Sequence, residues 1–140
     1  MGTELRRQNT IRRSCEVLGF GYWTGRDVKV EFHPAEANTG IVFVRTDVAD
    51  NNRIAATVQN RIEVPRRTVL RDGNVQVEMV EHILAALSGL QIDNCEVRVN
   101  DVEVPGCDGS SLPFVEVLQA AELETQSAVR SRVVATDVTR

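Results

Sequence analysis

The sequence predicts an α+β fold, a two-layer sandwich in which two helices pack on a mostly antiparallel sheet. Three observations lead there. Val28, Val30 and Phe32 alternate with Lys29, Glu31 and His33, the period-two pattern of a strand with one buried face. Val69-Leu70 and Val75 to Val77 flank Arg71-Asp72-Gly73-Asn74, and Asp-Gly between apolar runs marks a hairpin because such a turn needs residues that tolerate positive φ. Val80, Ile83, Leu84, Leu87 and Leu90 fall at helical spacing and form one apolar stripe.

The remaining elements are taken in chain order. Thr10 to Leu18 mixes β-branched and polar residues and reads as a first strand, running into the glycine-rich turn Gly19 to Gly25. Pro34 to Gly40 is a loop, and Ile41 to Arg45 reads as the returning strand. Ala85 and Ala86 favour the helix begun at Val80, and Gly89 stands near its end as a cap. Cys95, Val97 and Val99 alternate with polar residues as another strand. Val102 to Pro105 continues extended. Ser110 or Ser111 can cap a second helix, with Pro113 in its first turn and Phe114, Val117, Leu118 and Ala121 on its buried face. The polar stretch Glu122 to Ser131 reads as a linker. Arg132 to Val138 then resembles the opening strand of a further domain, the alternative being a closing strand that pairs back onto the first sheet. The expected organisation is an α+β domain over 1–124, with 125–140 a linker and the start of a second domain.

A chain of 140 residues is long enough to bury a core without metals or disulfides as staples. Its 42% hydrophobic and 26% charged residues match an ordinary globular protein, which excludes a disordered body. A net charge of -4 argues against a broad nucleic-acid surface. The basic run Arg6, Arg7, Arg12 and Arg13 reads as a solvated strand end rather than a phosphate strip. There is no apolar run near the roughly 20 residues of a membrane span and no secretory h-region at the N-terminus. Cys15, Cys95 and Cys107 are odd in number and far apart, so neither a disulfide framework nor a cysteine zinc site is indicated. These features predict a reduced, cytoplasmic protein.

Two segments are candidates for chemistry. His82 follows Glu81 in the first turn of the apolar helix, where free backbone N–H groups and the positive end of the helix dipole favour a carboxylate. A neutral imidazole offers a nitrogen to a metal, and a carboxylate beside it can take a proton from an attacking water. Polar residues also collect in first turns for structural reasons alone. The loop Val104 to Phe114 suits either a turn into a capped helix or an anion site at that helix start. His33 has no neighbouring ligand in sequence and reads as structural or solvent-facing.

Three segments, in order and correctly spaced, resemble the N-terminal half of the UDP-3-O-acyl-N-acetylglucosamine deacetylases, the zinc enzymes of the committed step of lipid A synthesis. Pro34-Ala35-Glu36-Ala37-Asn38-Thr39-Gly40 with Arg45-Thr46-Asp47 is similar to one family stretch. Val80-Glu81-His82 with Asp93-Asn94 is similar to the family's hallmark helix and the Asp-Asn pair beyond its end. Glu103-Val104-Pro105, Asp108-Gly109-Ser110 and Pro113-Phe114 are similar to a third. The resemblance implies Glu81 as the catalytic general base and His82 as a ligand of Zn2+. It implies a UDP-linked acylated N-acetylglucosamine as substrate, and a second half, in trans or on a longer polypeptide, carrying the other ligands in a His-x-x-x-Asp segment and a later His. Two positions depart from the pattern. Trp23 stands where the family's Gly-x-His-Thr-Gly turn has its histidine, and Met79 stands where threonine is common. The alternative expectation is a non-catalytic domain of the same fold that binds a nucleotide sugar or a partner.

Overall fold

The computed structural model describes residues 4–137. Where the sequence predicts one strand from Thr10 to Leu18, the chain forms two, β1 (Arg7–Ile11) and β2 (Cys15–Phe20). The break falls at Arg12 and Arg13, whose backbone N–H groups donate to the carbonyls of Glu122 and Ala121 at 2.8 and 3.3 Å. β3 (Asp27–Pro34) returns against β2 in register, Val17 opposite Val30.

β4 (Ile41–Arg45) does not pair with β3. β9 (Cys95–Val99) lies between them, antiparallel to β3 and parallel to β4, and β5 (Arg53–Ala55) closes the edge of a five-stranded sheet ordered β2-β3-β9-β4-β5. The central place suits β9 because Cys95, Val97 and Val99 are all fully buried. The loop from Ala35 to Gly40 is long enough to step over one strand, a distance of about 10 Å. A second sheet of three short strands holds β6 (Arg61–Ile62), β7 (Val69–Asp72) and β8 (Val75–Glu78), and the expected Asp72-Gly73 hairpin joins the last two with Gly73 at φ +60°.

Two helices pack against the inner sheet face. In α1 (Glu81–Gly89), Ile83, Ala86 and Leu87 are buried, and Val80 just before it is fully enclosed. The helix ends in a paired-bond C-cap, with Gln91 N–H to Ser88 O at 3.1 Å and Ile92 N–H to Leu87 O at 2.9 Å. The left-handed residue in that cap is Gln91, at φ +59°, rather than the expected Gly89. α2 (Leu112–Ala121) buries Phe114, Leu118 and Ala121, and Phe114 meets Phe32 of the sheet edge-on at 6.2 Å between ring centres. Both helices and the inner face of the sheet thus share one core, the two-layer α+β sandwich read from the sequence.

The polar stretch read as a linker is structured in its first part. β10 (Leu123–Val129) pairs antiparallel with β1, Ile11 opposite Leu123 and Arg7 opposite Val129. Residues 130–137 carry no strand, and Val138 lies outside the described residues. Of the basic run, Arg6 bonds both oxygens of Asp93 at 2.8 and 3.0 Å, and Arg12 and Arg13 pair with Glu122. Those pairings leave no continuous strip for phosphates.

Beside β1 and β10 lies a buried amide cluster. Asn94, 1% exposed, accepts the Gly40 N–H at Oδ1 and donates from Nδ2 to Gln8 Oε1 and Gln126 Oε1 at 2.9 and 2.8 Å. Gln8 in turn accepts the Asn38 N–H and donates to Asn38 Oδ1 and to the Val129 carbonyl. Thr10 Oγ1 donates to the Asn94 carbonyl and accepts the Ala35 N–H. This cluster ties the loop 35–40, the turn after α1 and the two strands together.

Candidate functional site

The start of α1 is built by the segment that precedes it. Met79 takes a left-handed backbone, φ +64°, which few side chains adopt without help from their surroundings. Its N–H donates to the Thr68 carbonyl at 2.9 Å, and the Val80 N–H reaches the same oxygen at 3.4 Å. Thr68 then donates its own N–H to Glu81 Oε2 at 3.2 Å. One carboxylate oxygen of Glu81 is therefore anchored. The other, Oε1, accepts no hydrogen bond among the described residues.

His82 is half-buried and makes no side-chain hydrogen bond among the described residues. Its electrostatic neighbour is Asp108, from the loop before α2. The Asp108 carboxyl is held below the usual carboxylate range first by the hydroxyl and N–H of Ser110, with a smaller pull from His82. The structure thus brings two segments singled out in the sequence, Glu81-His82 and the Val104–Phe114 loop, to one place. Within that loop, Ser110 Oγ accepts the Leu112 N–H at 3.1 Å, and Ser111 at the cap position makes no side-chain cap. The turn-and-cap reading accounts for these bonds.

A third segment joins them. The turn after β2 closes on itself through Gly25 N–H to Gly21 O at 2.9 Å, and the Gly106 N–H donates to the Phe20 carbonyl at 3.0 Å. Trp23 and Thr24 donate their backbone N–H groups to the two oxygens of Glu103, at 2.8 and 2.9 Å. Arg67, next to Thr68, lies over the Trp23 ring at 5.0 Å from its centre. Neither Glu103 nor Arg67 has a role in the sequence reading. In the sequence Glu103 figures only in the Glu103-Val104-Pro105 stretch that resembles the family and as a carboxylate between two valines in an extended run. Arg67 leaves none, because its contact with Trp23 joins residues far apart in the chain.

His33 is elsewhere. It sits at the far end of β3 from the 21–25 turn, six residues of strand or roughly 20 Å away. Its Nδ1 bonds Ser14 Oγ at 3.0 Å and its buried Nε2 has no partner, 3.9 Å from Glu31. Among the described residues, no group of three or more His, Cys, Asp and Glu side chains could hold a metal ion. No helix among them is long and apolar enough to cross a membrane.

Fold and site together define a class: a two-layer α+β domain that presents an adjacent carboxylate and imidazole at a helix start, rimmed by a glycine-rich turn and a Pro-Gly-rich loop. Comparison with known families gives the particular member of that class. The chain belongs to the family described as LpxC: UDP-3-O-acyl N-acetylglycosamine deacetylase, whose model matches residues 8–140. It is 41% identical over 127 residues to the "Bifunctional enzyme LpxC/FabZ" of Chlorobaculum tepidum, covering 91% of this chain and 27% of that protein. It is 42% identical over 122 residues to the UDP-3-O-acyl-N-acetylglucosamine deacetylase of Pseudomonas entomophila, covering 87% of this chain and 40% of the relative. The same enzyme of Marinobacter nauticus is 40% identical over 124 residues, 89% of this chain and 41% of the relative. The chain spans about two-fifths or less of the length of these relatives.

Proposed function

We propose that this chain is the N-terminal half of a cytoplasmic zinc-dependent deacetylase that removes acetate from UDP-3-O-acyl-N-acetylglucosamine in lipid A synthesis. The observation that carries the reading is the start of α1: a carboxylate tethered by one oxygen beside an imidazole with no internal hydrogen bond, in a chain of the deacetylase family. The residues fit one ligand of a zinc site. His82 presents an open imidazole, and a catalytic zinc takes about three protein ligands with one position left for substrate or water. The remaining ligands come from outside the present residues, on the same polypeptide or a partner. Bound zinc supplies Lewis acidity at the acetamide carbonyl.

Glu81 is the general base. Its free oxygen takes a proton from the water that adds to the acetamide carbon. The Thr68 N–H holds the other oxygen, so the carboxylate keeps its direction while its charge changes. The C–N bond then breaks, acetate leaves, and the glucosamine nitrogen takes up a proton to depart as the amine.

The test is release of acetate from UDP-3-O-acyl-N-acetylglucosamine by the complete enzyme, with and without a zinc chelator. Chelator-sensitive release supports the reading. A complete enzyme that binds the nucleotide sugar without turnover, and carries no metal, would replace it with the non-catalytic binding domain.

A further inference from the structure

We propose that Glu103 is a positioning residue, whose buried carboxylate fixes the Gly21–Gly25 turn so that the Trp23 ring forms a rigid substrate-facing rim beside the start of α1. The inference rests on the deacetylase reading for the identity of the substrate, and on geometry alone for the grip on Trp23.

Glu103 is 1% exposed and is among the largest fully buried side chains of the molecule. Enclosing a carboxylate is costly unless hydrogen bonds replace its water. Here they do, and both go to one turn: the N–H groups of Trp23 and Thr24, one to each oxygen. Gly21 makes the room. A Cβ there would lie 2.6 Å from Glu103 Oε2 and 2.3 Å from Thr24 Oγ1. The rings of the turn are not what the carboxylate encloses, since Tyr22 and Trp23 remain 70% and 47% exposed. An ordinary surface turn leaves such N–H groups to water. A buried charge reserved for them holds exposed aromatic rings in place, and preorganisation of this kind lowers the ordering cost of binding.

The turn is also tied to the chemical end of the domain. Glu103 pairs its backbone with Glu78, with Val104 N–H to Glu78 O at 3.2 Å, and Glu78 immediately precedes the left-handed Met79 that leads into α1. Arg67 lies over the Trp23 ring, and its neighbour Thr68 anchors Glu81. Trp23 is thus held at its backbone by Glu103 and at its ring by Arg67, one position from the Glu81 tether.

Trp23 is the single tryptophan of the chain and reports on its own turn. Two variants displace the grip differently. Glu103→Gln turns an NH2 group toward one of the two N–H donors, and Gly21→Ala pushes a methyl into the carboxylate while keeping its charge. With circular dichroism showing both still folded, Trp23 emission should shift to the red and its anisotropy should fall in each. In the complete enzyme, KM for the nucleotide sugar should rise about tenfold while kcat and zinc content hold within about threefold. Trp23→Ala should raise KM similarly, and Glu103→Gln combined with Trp23→Ala should be no worse than Trp23→Ala alone. Unchanged emission in both single variants would overturn the grip. Shifted emission with unchanged KM, or additive effects in the double variant, would overturn the rim. A wild-type enzyme that releases no acetate would refute the deacetylase reading instead, and the emission measurement would still decide whether Glu103 holds Trp23.

Discussion

Two ends of this domain treat polar groups in opposite ways. At the β1–β10 end, Gln8, Asn38, Asn94 and Gln126 bond one another or nearby backbone, and Asp93 is shared by Arg6 and Arg130. At the α1 end, the His82 ring and one oxygen of Glu81 make no hydrogen bond among the described residues, Met79 is left-handed, and the buried Nε of Arg67 has only an ion pair with Glu78 at 3.6 Å. A closed network stabilises a fold, and an open one leaves groups for a ligand. The residues that resemble the family's motifs divide along this line. Asn38-Thr39-Gly40 and Asp93-Asn94 belong to the closed end and serve folding, whereas Glu81, His82 and Asp108 gather at the open end.

Substitutions should separate the two ends by what they change. The largest effect expected is on turnover. Glu81→Gln in the complete enzyme should lower kcat by about a thousandfold, within the usual range for loss of a general base, with the melting temperature unchanged. Steady-state acetate release and a thermal scan check both parts. Next comes Asn94→Ala, which removes the acceptor of the Gly40 N–H and the donor to Gln126 Oε1, and leaves Gln8 Oε1 only the Asn38 N–H. It should cost about 2–4 kcal/mol in urea unfolding, one to three per buried group left unpaired less some relaxation, and leave kcat of the surviving folded enzyme near normal. An Asn94→Ala enzyme of full stability would remove the distinction between the ends.

Smaller effects sharpen it. Burial pushes the Cys95 thiol up to about 12 and the Cys15 thiol to about 11. Both should therefore react slowly with a thiol reagent at neutral pH in the native chain and fast in urea, as a stopped-flow labelling trace would show. The smallest effect is at acid pH. Asp101 is drawn from its ordinary value down to about 2, chiefly by its hydrogen bond to the Arg26 guanidinium. A depressed carboxylate stabilises the fold above its unfolded pKa, and that contribution fades as pH falls through the folded one. Arg26 is exposed and screened by solvent although Asp101 is half-buried, so stability should decline only slightly between pH 4 and about 2 on this account, with Asp101 titrating near the lower value by NMR.

Much of this was legible in the chain. The alternation at 28–33, the Asp72-Gly73 hairpin and the stripe from Val80 to Leu90 are local patterns, and each forms the element it predicts. β10 was not legible as a strand, because it is an edge strand whose residues are mostly exposed and polar, a composition shared with linkers. Only its pairing with β1, more than a hundred residues earlier, makes it a strand. The insertion of β9 between β3 and β4 is likewise a long-range choice. At the site, adjacency in sequence revealed Glu81 and His82. The hold of Glu103 on Trp23 and of Thr68 on Glu81 depends on turns that meet only in three dimensions.

The central claim is that the open imidazole at the start of α1 is a metal ligand, and zinc content tests it most directly. The complete enzyme, purified without added metal, should carry about one zinc per active site, and Glu81→Gln should retain it. His82→Ala should lose that zinc and its activity together while keeping the fold. A His82→Ala enzyme that retains its zinc and turns over normally would contradict the account.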